Sequence, residues 1–387
     1  MRNGALLYKH KNVYDSALER INYLFDEFDN VVVGFSGGKD STVVLNLALK
    51  VAEERDRLPL KVMFLDQEAE WQNVIDYVRQ IMLDERVDPM WFQIPIRLFN
   101  ATSNTDHWLE CWNPKDEGNW MRSKEDFSFK ENIYGTDRFY DMFQAIFEHH
   151  FKDQKACYLA GIRTEESPTR FLAVTSDATY KYITYGKKLN RKMQHYTFYP
   201  IYDWSFTDVW KSIHDNDWPY TKIYDYQFQH GISIKSMRVS NLHHETSVES
   251  LYYLEEVEKE TWNKLTKRLS GISTAGRLGR DNFLKVKKLP YMFKDWKEYR
   301  DHLLENLITD EKHRLIFRKK FKRLDDKYDF EFHKDKLYKV QVQSILANDF
   351  EFTKIINYER HPDVDTWRKW KRGITNAWTD TNKYING

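Results

Sequence analysis

Ser36-Gly37-Gly38-Lys39-Asp40-Ser41 places two glycines, an ammonium, a carboxylate and two hydroxyls in six consecutive positions. Such a set suits an anion the size of a phosphate. Glycines pass through backbone conformations closed to other residues and bring amide N–H groups close to a ligand, which is the expectation for both Gly37 and Gly38. Amides gathered in this way, with Lys39 and the hydroxyls of Ser36 and Ser41, stabilise charge on a leaving phosphate group. The loop needs rigid flanks. Val31-Val32-Val33 before it reads as a buried strand, and the apolar periodic segment Thr42 to Val51 reads as a helix whose start adds free N–H donors and partial positive charge. Lys39 is followed by Asp40, and the glycine spacing is not that of a Walker loop.

A second group of chemical side chains follows another strand, Ala156 to Ala160. There the chain reads Gly161-Ile162-Arg163-Thr164-Glu165-Glu166-Ser167-Pro168-Thr169-Arg170. Arg163 and Arg170 stand seven residues apart, two turns if the intervening chain is helical, so both can face an anion at the end of a sheet. Guanidinium groups make planar two-point contacts to phosphate or sulfate. The alternative is pairing with Glu165 and Glu166 at the surface. Asp40 has two readings as well: orienting a magnesium ion, a hard cation that prefers oxygen, or serving as a first-turn carboxylate favoured by the helix dipole.

The elements that position these loops alternate. Helical spacing runs over Val13 to Phe28 and again over Trp71 to Leu83, with strands at Leu60 to Leu65, Met90 to Ile96 and Phe198 to Ile201. Phe139 to Phe151 reads as a helix, as does Ser205 to Ile213, with Ser205 as cap and Asp208 at the third helical position. Alternation implies βαβ crossovers and an α/β fold, a mostly parallel doubly wound sheet whose ligands lie beyond the C-terminal ends of its strands. Phe99 to Arg138 breaks the pattern, as a long functional loop or an insertion packed by its tryptophans. From Thr246 onward the patterns are mainly helical. The expected division is a nucleotide-binding domain over 1–245 and a helical accessory region over 246–387.

Composition sets bounds. The 387 residues carry 60 Lys and Arg against 59 Asp and Glu, with 41% hydrophobic and 16% aromatic residues, the composition of a folded, aromatic-rich protein and not a disordered chain. No apolar run approaches the roughly 20 residues that span a bilayer, and Met1 to Lys11 lacks the apolar centre of a secretory signal, so a cytoplasmic location without membrane contact is expected. Two cysteines, Cys111 and Cys157, are too few for a disulfide framework, an iron-sulfur cluster or a Cys-rich structural zinc site. The pairs His149-His150 and His243-His244 offer at most one ligand each from a given face. From residue 281 to the end there are 24 basic against 18 acidic residues, concentrated in Lys312 to Arg323 and in Arg368, Lys369, Lys371 and Arg372. Interleaved with Phe317, Phe321, Trp367 and Trp370, these segments read either as a nucleic-acid surface or as amphipathic helices with solvated lysines and buried aromatics.

Three segments in order resemble one family. SGGKDS resembles the PP-loop of the ATP pyrophosphatases. GIRTEESPTR and FYPIYDWSFTDVWKSIHDNDWPYTKIYD resemble the segments that follow in phosphoadenosine phosphosulfate (PAPS) reductase-like proteins. The later MRVSNLHHETSVESL and the long C-terminal extension resemble the enlarged subgroup that includes the regulator IbrA. The resemblance implies an adenine nucleotide alpha hydrolase-like fold that binds ATP or a related adenine nucleotide, PAPS or APS included, with Mg2+. It implies a nucleotide site of Ser36, Gly37, Gly38, Lys39, Asp40, Ser41, Gly161, Arg163 and Arg170, with Lys39, Asp40 and Arg163 in the reaction. Asp66, at the end of the strand Leu60 to Leu65, falls near the base or ribose by the same resemblance; a cap for the following helix is the other reading.

One expected part is missing. Reductases of this family attack sulfur with a cysteine in a C-terminal Glu-Cys-Gly-x-His type segment, and no such segment occurs here. The leading expectation is therefore cleavage of ATP at the α-phosphate, adenylating an unidentified acceptor and releasing diphosphate. The alternatives are a sulfonucleotide reductase using an external thiol or Cys111, and a non-catalytic nucleotide-dependent regulatory or nucleic-acid-binding protein.

Overall fold

The computed structural model describes residues 10–103, 106–175, 179–189, 193–244, 247–272, 288–308, 310–328, 334–347, 349–360, 364, 369 and 372. Its chain groups into two compact units, each drawing on separate stretches of sequence: Met1–Leu98 with Glu110–Leu242 and Tyr253–Arg268, and Phe99–Leu109 with His243–Tyr252 and Leu269–Gly387. The exchange between units therefore does not fall at one point near residue 245. Of the second basic segment only Lys369 and Arg372 are among the described residues.

The first unit is built on a seven-stranded sheet. Strands β1 (Asn30–Gly34), β2 (Leu60–Leu65), β3 (Val87–Phe92), β6 (Ala156–Leu159) and β9 (His195–Phe198) are parallel, and β8 (Thr184–Lys188) and β7 (Thr179–Tyr180) extend the sheet antiparallel beyond β9. The order is β3-β2-β1-β6-β9-β8-β7, and a separate ribbon pairs β4 (Ile96–Phe99) with β5 (Trp108–Cys111). Val31, Val32 and Val33 are buried in the middle of the sheet, as their unbroken β-branched run requires of a parallel strand covered on both faces. Helices α1 (Val13–Glu27), α2 (Lys39–Glu54), α3 (Gln72–Met82), α4 (Phe139–His150), α5 (Pro168–Thr175), α6 (Phe206–Asp215) and α7 (Ile223–Gln229) accompany it. Ser205 caps α6 in a reciprocal capping box with Asp208.

Two strands are shifted from their expected positions. Of the run at Met90 to Ile96, Met90 to Phe92 is the end of β3, which begins at Val87, and Ile96 opens β4. Pro89 of β3, which lacks an N–H to donate, is accommodated because β3 is the outermost strand. The segment Phe198 to Ile201 is the end of β9 followed by turns, with Tyr202 N–H donating to Tyr199 O and Trp204 N–H to Ile201 O.

The second unit has an apolar core formed by helices Trp296–Asn306, Glu311–Lys327, Lys334–Leu346 and Thr353–Glu359. Trp296, Leu303, Phe317, Phe321, Leu337 and Ile355 lie in it. Arg300 is buried there too, donating to Asp325 at 2.8 Å and Gln341 at 2.5 Å.

Candidate functional site

Strand β1 has β2 on one side and β6 on the other, while the chain passes from β1 through α2 to β2. Loops leaving β1 and β6 therefore diverge, and the crevice between them is where open α/β sheets bind ligands. The Ser36–Ser41 loop leaves β1 and the Gly161–Arg170 segment leaves β6. Gly161 shows how close they come: a Cβ on it would lie 2.7–2.9 Å from the backbone of Asp40 and Ser41. Only glycine fits.

The loop is closed on itself. Gly37 takes φ +71°, and a side chain there would also meet Val74. Gly38, expected to need the same freedom, does not: its φ of −79° and ψ of 157° are open to any residue, and it serves as the cap of α2. Ser41 Oγ donates to Gly38 O at 2.8 Å and lies 3.2 Å from Ser36 Oγ, while Thr42 N–H and hydroxyl both donate to Gly38 O. Ser36 is exposed and Ser41 buried.

Three charges meet beside the loop. Asp40 accepts from Arg163 Nε through one oxygen and faces Lys39 Nζ at 3.3 Å with the other. Arg163 also donates to Glu165 at 3.0 Å and to Trp204 O at 3.4 Å. Burial opposes its charge, but Asp40, Glu166 and Glu165 outweigh that and raise its pKa above the ordinary value. Both Asp40 oxygens are engaged by cations, and among the described residues no group of three His, Cys, Asp or Glu side chains could hold a metal. A magnesium ion on Asp40 would have to displace Lys39 or Arg163 from it, and no reaction step is assigned to one.

The turn after β9 supports Arg163. Thr164 donates to Tyr202 O through both N–H and hydroxyl at 2.9 Å. Arg20, on α1, reaches the same turn and pairs with Asp203 at 2.6 Å. Trp204 Nε1 donates to Val13 O at 3.1 Å, tying the turn to α1 as well.

Two residues that the sequence did not single out occupy the loop. Tyr224, on α7, accepts from the Lys39 backbone N–H at 3.0 Å. Lys39 Nζ donates to Met237 O at 3.1 Å and lies 5.4 Å from the centre of the Tyr224 ring. Lys39 is 6% exposed as a result. Burial, with the nearby Asp40 carboxylate, holds the Tyr224 phenol protonated, far above its ordinary pKa. No local pattern announces these contacts, which span 185 and 198 residues.

Asp66 is fully buried and fully used. It pairs with Arg122 at 2.5 Å and accepts from Trp91 Nε1, Gln93 and the Glu68 N–H. Its place is structural, and the expected approach to a base or ribose is not open to it. Glu68 pairs with Arg268 at 2.6 Å, and Glu70, buried nearby, is pushed up to about 8 by burial and by Asp66. Arg170 does not join Arg163. The chain between them is a 3-10 turn (Thr164–Glu166) that ends at the extended Ser167 before α5 begins, so helical spacing does not apply; Arg170 is exposed and pairs with Glu166 at 2.8 Å.

The remaining candidates are accounted for. Cys111 is buried, donates to Gln67 O at 3.1 Å and has its pKa raised well above the ordinary value by burial and by Glu68. Cys157 is buried in β6 and likewise raised. Neither supplies an accessible thiolate. His150 bonds to Tyr134, and buried His243 bonds to Phe99 O at 3.0 Å. In the first basic segment Phe317 and Phe321 are 0% and 1% exposed, so they cannot stack on bases; Arg318 pairs with Glu305 and Arg314 donates to Ile308 O. No helix among the described residues is long and apolar enough to cross a membrane.

Residues 30–231, more than half of the chain, match the phosphoadenosine phosphosulfate reductase domain model. The chain belongs to that family. Residues 231–369 match a domain of unknown function, DUF3440. The chain is 26% identical over 311 residues to the uncharacterized protein YbdN of Escherichia coli (strain K12), covering 76% of this chain and 75% of that one. It is 25% identical over 195 residues to the uncharacterized protein MJ0973 of Methanocaldococcus jannaschii, covering 50% of this chain and 38% of that one. Solved structures similar to it include a PAPS reductase of Candida auris (15% identity, TM-score 0.33, covering 58% of this chain and 94% of that one). An FMN adenylyltransferase of Candida glabrata matches at 13% identity and TM-score 0.33, covering 57% of this chain and 62% of that one, a little under two thirds of its length. The family's nucleotide-binding PP-loop fold is the frame in which the loop of Ser36 to Ser41 stands.

Proposed function

We propose that the protein is an adenylating enzyme. It binds ATP or a closely related adenine nucleotide on the Ser36–Ser41 loop, cleaves it at the α-phosphate, transfers adenylate to an acceptor and releases diphosphate. The observation that carries this reading is the meeting of Lys39, Asp40 and Arg163 at the crevice between β1 and β6, with Gly161 allowing the two loops to touch. A nucleophile on the acceptor forms the new bond to the α-phosphorus, the bond from that phosphorus to the bridging oxygen breaks, and the electron pair leaves with diphosphate. The nucleophile's proton passes to solvent. Loop amides, the Ser36 and Ser41 hydroxyls and Lys39 meet the charge gathering on diphosphate, and Arg163 clamps the α-phosphate or the acceptor. With no general base assigned, positioning carries the rate.

The absence of an accessible thiol among the described residues disfavours sulfonucleotide reduction by the chain's own cysteines. Incubation with magnesium and α-labelled ATP, PAPS or APS, with and without a thiol donor, separates the readings. Diphosphate release supports adenylation. Sulfite release dependent on the thiol donor replaces it with reduction, and tight binding without turnover replaces it with a regulatory role.

A further inference from the structure

Beside the loop lies a cavity of about 310 Å3 that neither the phosphate-binding groups nor Arg163 use. Its walls include Phe206 and Trp210 of α6, Tyr220, Tyr224 and Phe228 around α7, and Ile234. That volume is at the lower end of small-molecule sites. Its lining is aromatic in an ordered way: Trp210 stands edge-on to both Tyr220 and Tyr224, at 85° and 87°. Phe228 and Ile234 are 64% and 44% exposed, and two large apolar side chains left in water at one cavity mouth are a cost that a bound apolar ligand removes. Asp225 also lines the cavity. One of its oxygens accepts from Tyr220 at 3.0 Å and the other makes no hydrogen bond among the described residues.

We propose that this cavity binds a planar aromatic ring whose edge carries a hydrogen-bond donor or a cation for Asp225. Edge-on aromatic walls suit a flat ring, and the single carboxylate fixes its orientation. Tyr224 and Met237 both line the cavity and both hold Lys39, so a ring bound here abuts the phosphate site. The proposal rests on the nucleotide reading for that neighbour. Two sources supply the chemistry: the base of the nucleotide held on the loop, or the ring of a separate acceptor.

The test is binding to the full chain of four probes: adenosine, tryptamine, ATP and inorganic tripolyphosphate. Wild type is compared with Phe228→Ser and Ile234→Ser, both at exposed positions. Fluorine NMR of protein labelled with 5-fluorotryptophan, with the Trp210 signal assigned through Trp210→Phe, reports occupancy. The expected result is a saturable shift of the Trp210 signal by a ring probe, weakened at least tenfold in both variants, with tripolyphosphate affinity unchanged. If adenosine is that probe and ATP weakens in parallel, the ring is the base. If tryptamine saturates and ATP affinity is unchanged in the variants, the ring belongs to a second molecule. Failure of both rings to saturate at millimolar concentration, or equal shifts in wild type and variants, overturns the proposal and leaves the nucleotide reading standing. Ring binding with no affinity for ATP or tripolyphosphate does the reverse.

Discussion

Tyr224→Phe removes one oxygen and has opposite consequences for stability and for nucleotide affinity. In the free protein the Tyr224 hydroxyl occupies the Lys39 N–H, a donor that the proposed reading gives to a phosphate oxygen. Binding must break that 3.0 Å hydrogen bond before the amide can turn to the ligand. With phenylalanine in place the ring remains, so the adjoining cavity keeps its wall, but the amide is left unpaired in a buried setting. Leaving a buried donor unsatisfied costs about 1–3 kcal/mol. The free variant carries that cost and the nucleotide-bound variant does not. The expected affinity gain is therefore about 1–2 kcal/mol, roughly five- to thirtyfold, against a loss of folding stability of similar size.

Calorimetric titration of tripolyphosphate and of an ATP analogue with a methylene α,β-bridge measures the first effect. Urea denaturation measures the second. Weaker binding in a variant that folds would mean that the hydroxyl itself touches the phosphate. Unchanged affinity, with stability lowered as expected, would place the nucleotide away from the Lys39 amide and refute the reasoning.

Four further outcomes follow from the same geometry. Gly38→Val folds with a stability change of about 1 kcal/mol or less, because its Cβ would meet Ser36 and Tyr224 only at 3.5 Å, while nucleotide affinity falls at least tenfold by the phosphate's exclusion; retained affinity in calorimetry removes the loop from the site. Arg163→Ala lowers turnover more than Arg163→Lys, and Lys restores it only in part since an ammonium cannot make two-point contacts, so equal rates for wild type and Arg163→Ala would reduce Arg163 to a structural ion pair. Glu70, raised from 4.5 to about 8, keeps its proton when folded and loses it when unfolded between those values, so it makes stability fall as pH rises through that window; Glu70→Gln flattens the decline by up to roughly 5 kcal/mol, read from denaturation midpoints at pH 4.5 and 8. Changing Arg318, Lys319, Lys320 and Lys322 together to Ala leaves weak RNA and DNA binding, if any, with an unchanged salt slope in titrations at two salt concentrations, and a slope reduced by several charges would make the segment a phosphate-binding face after all.

Legibility in the sequence followed the range of the interactions. The strand, loop and helix around Ser36 to Ser41 were readable because their cause is local: a β-branched run, a glycine turn and an apolar period within some twenty residues. Gly37 and Gly38 look alike as letters, yet only the first takes a positive φ, and the difference lies in the neighbour Val74 and the start of α2. The spacing of Arg163 and Arg170 suggested a shared face, and one extended residue, Ser167, broke the period on which that rested. Phe317 and Phe321 at helical spacing fitted either a stacking surface or a core stripe; burial in the helical unit decides for the core. Tyr224 and Met237 had no signal of residue type or spacing, because what makes them matter is a fold that brings them across nearly 200 residues to one lysine.

The site's own groups also bear on how it would favour a transition state over bound substrate. Lys39 and Arg163 already share the Asp40 carboxylate, Arg163 also pairs with Glu165, and the Lys39 amide is already satisfied by Tyr224. A nucleotide at rest must compete for each of them, so its net binding is the difference between the new contacts and those displaced. On the proposed reaction the diphosphate gains charge as its bond to the α-phosphorus lengthens, and the competition then shifts toward the ligand. Interactions that grow between ground and transition state accelerate chemistry, whereas equal strengthening of both does not. Asp40 is then a partner whose hold on the two cations keeps ground-state binding modest. Asp40→Asn should accordingly tighten ATP binding while lowering turnover, and a variant in which binding and turnover fall together would show that the carboxylate only positions Arg163.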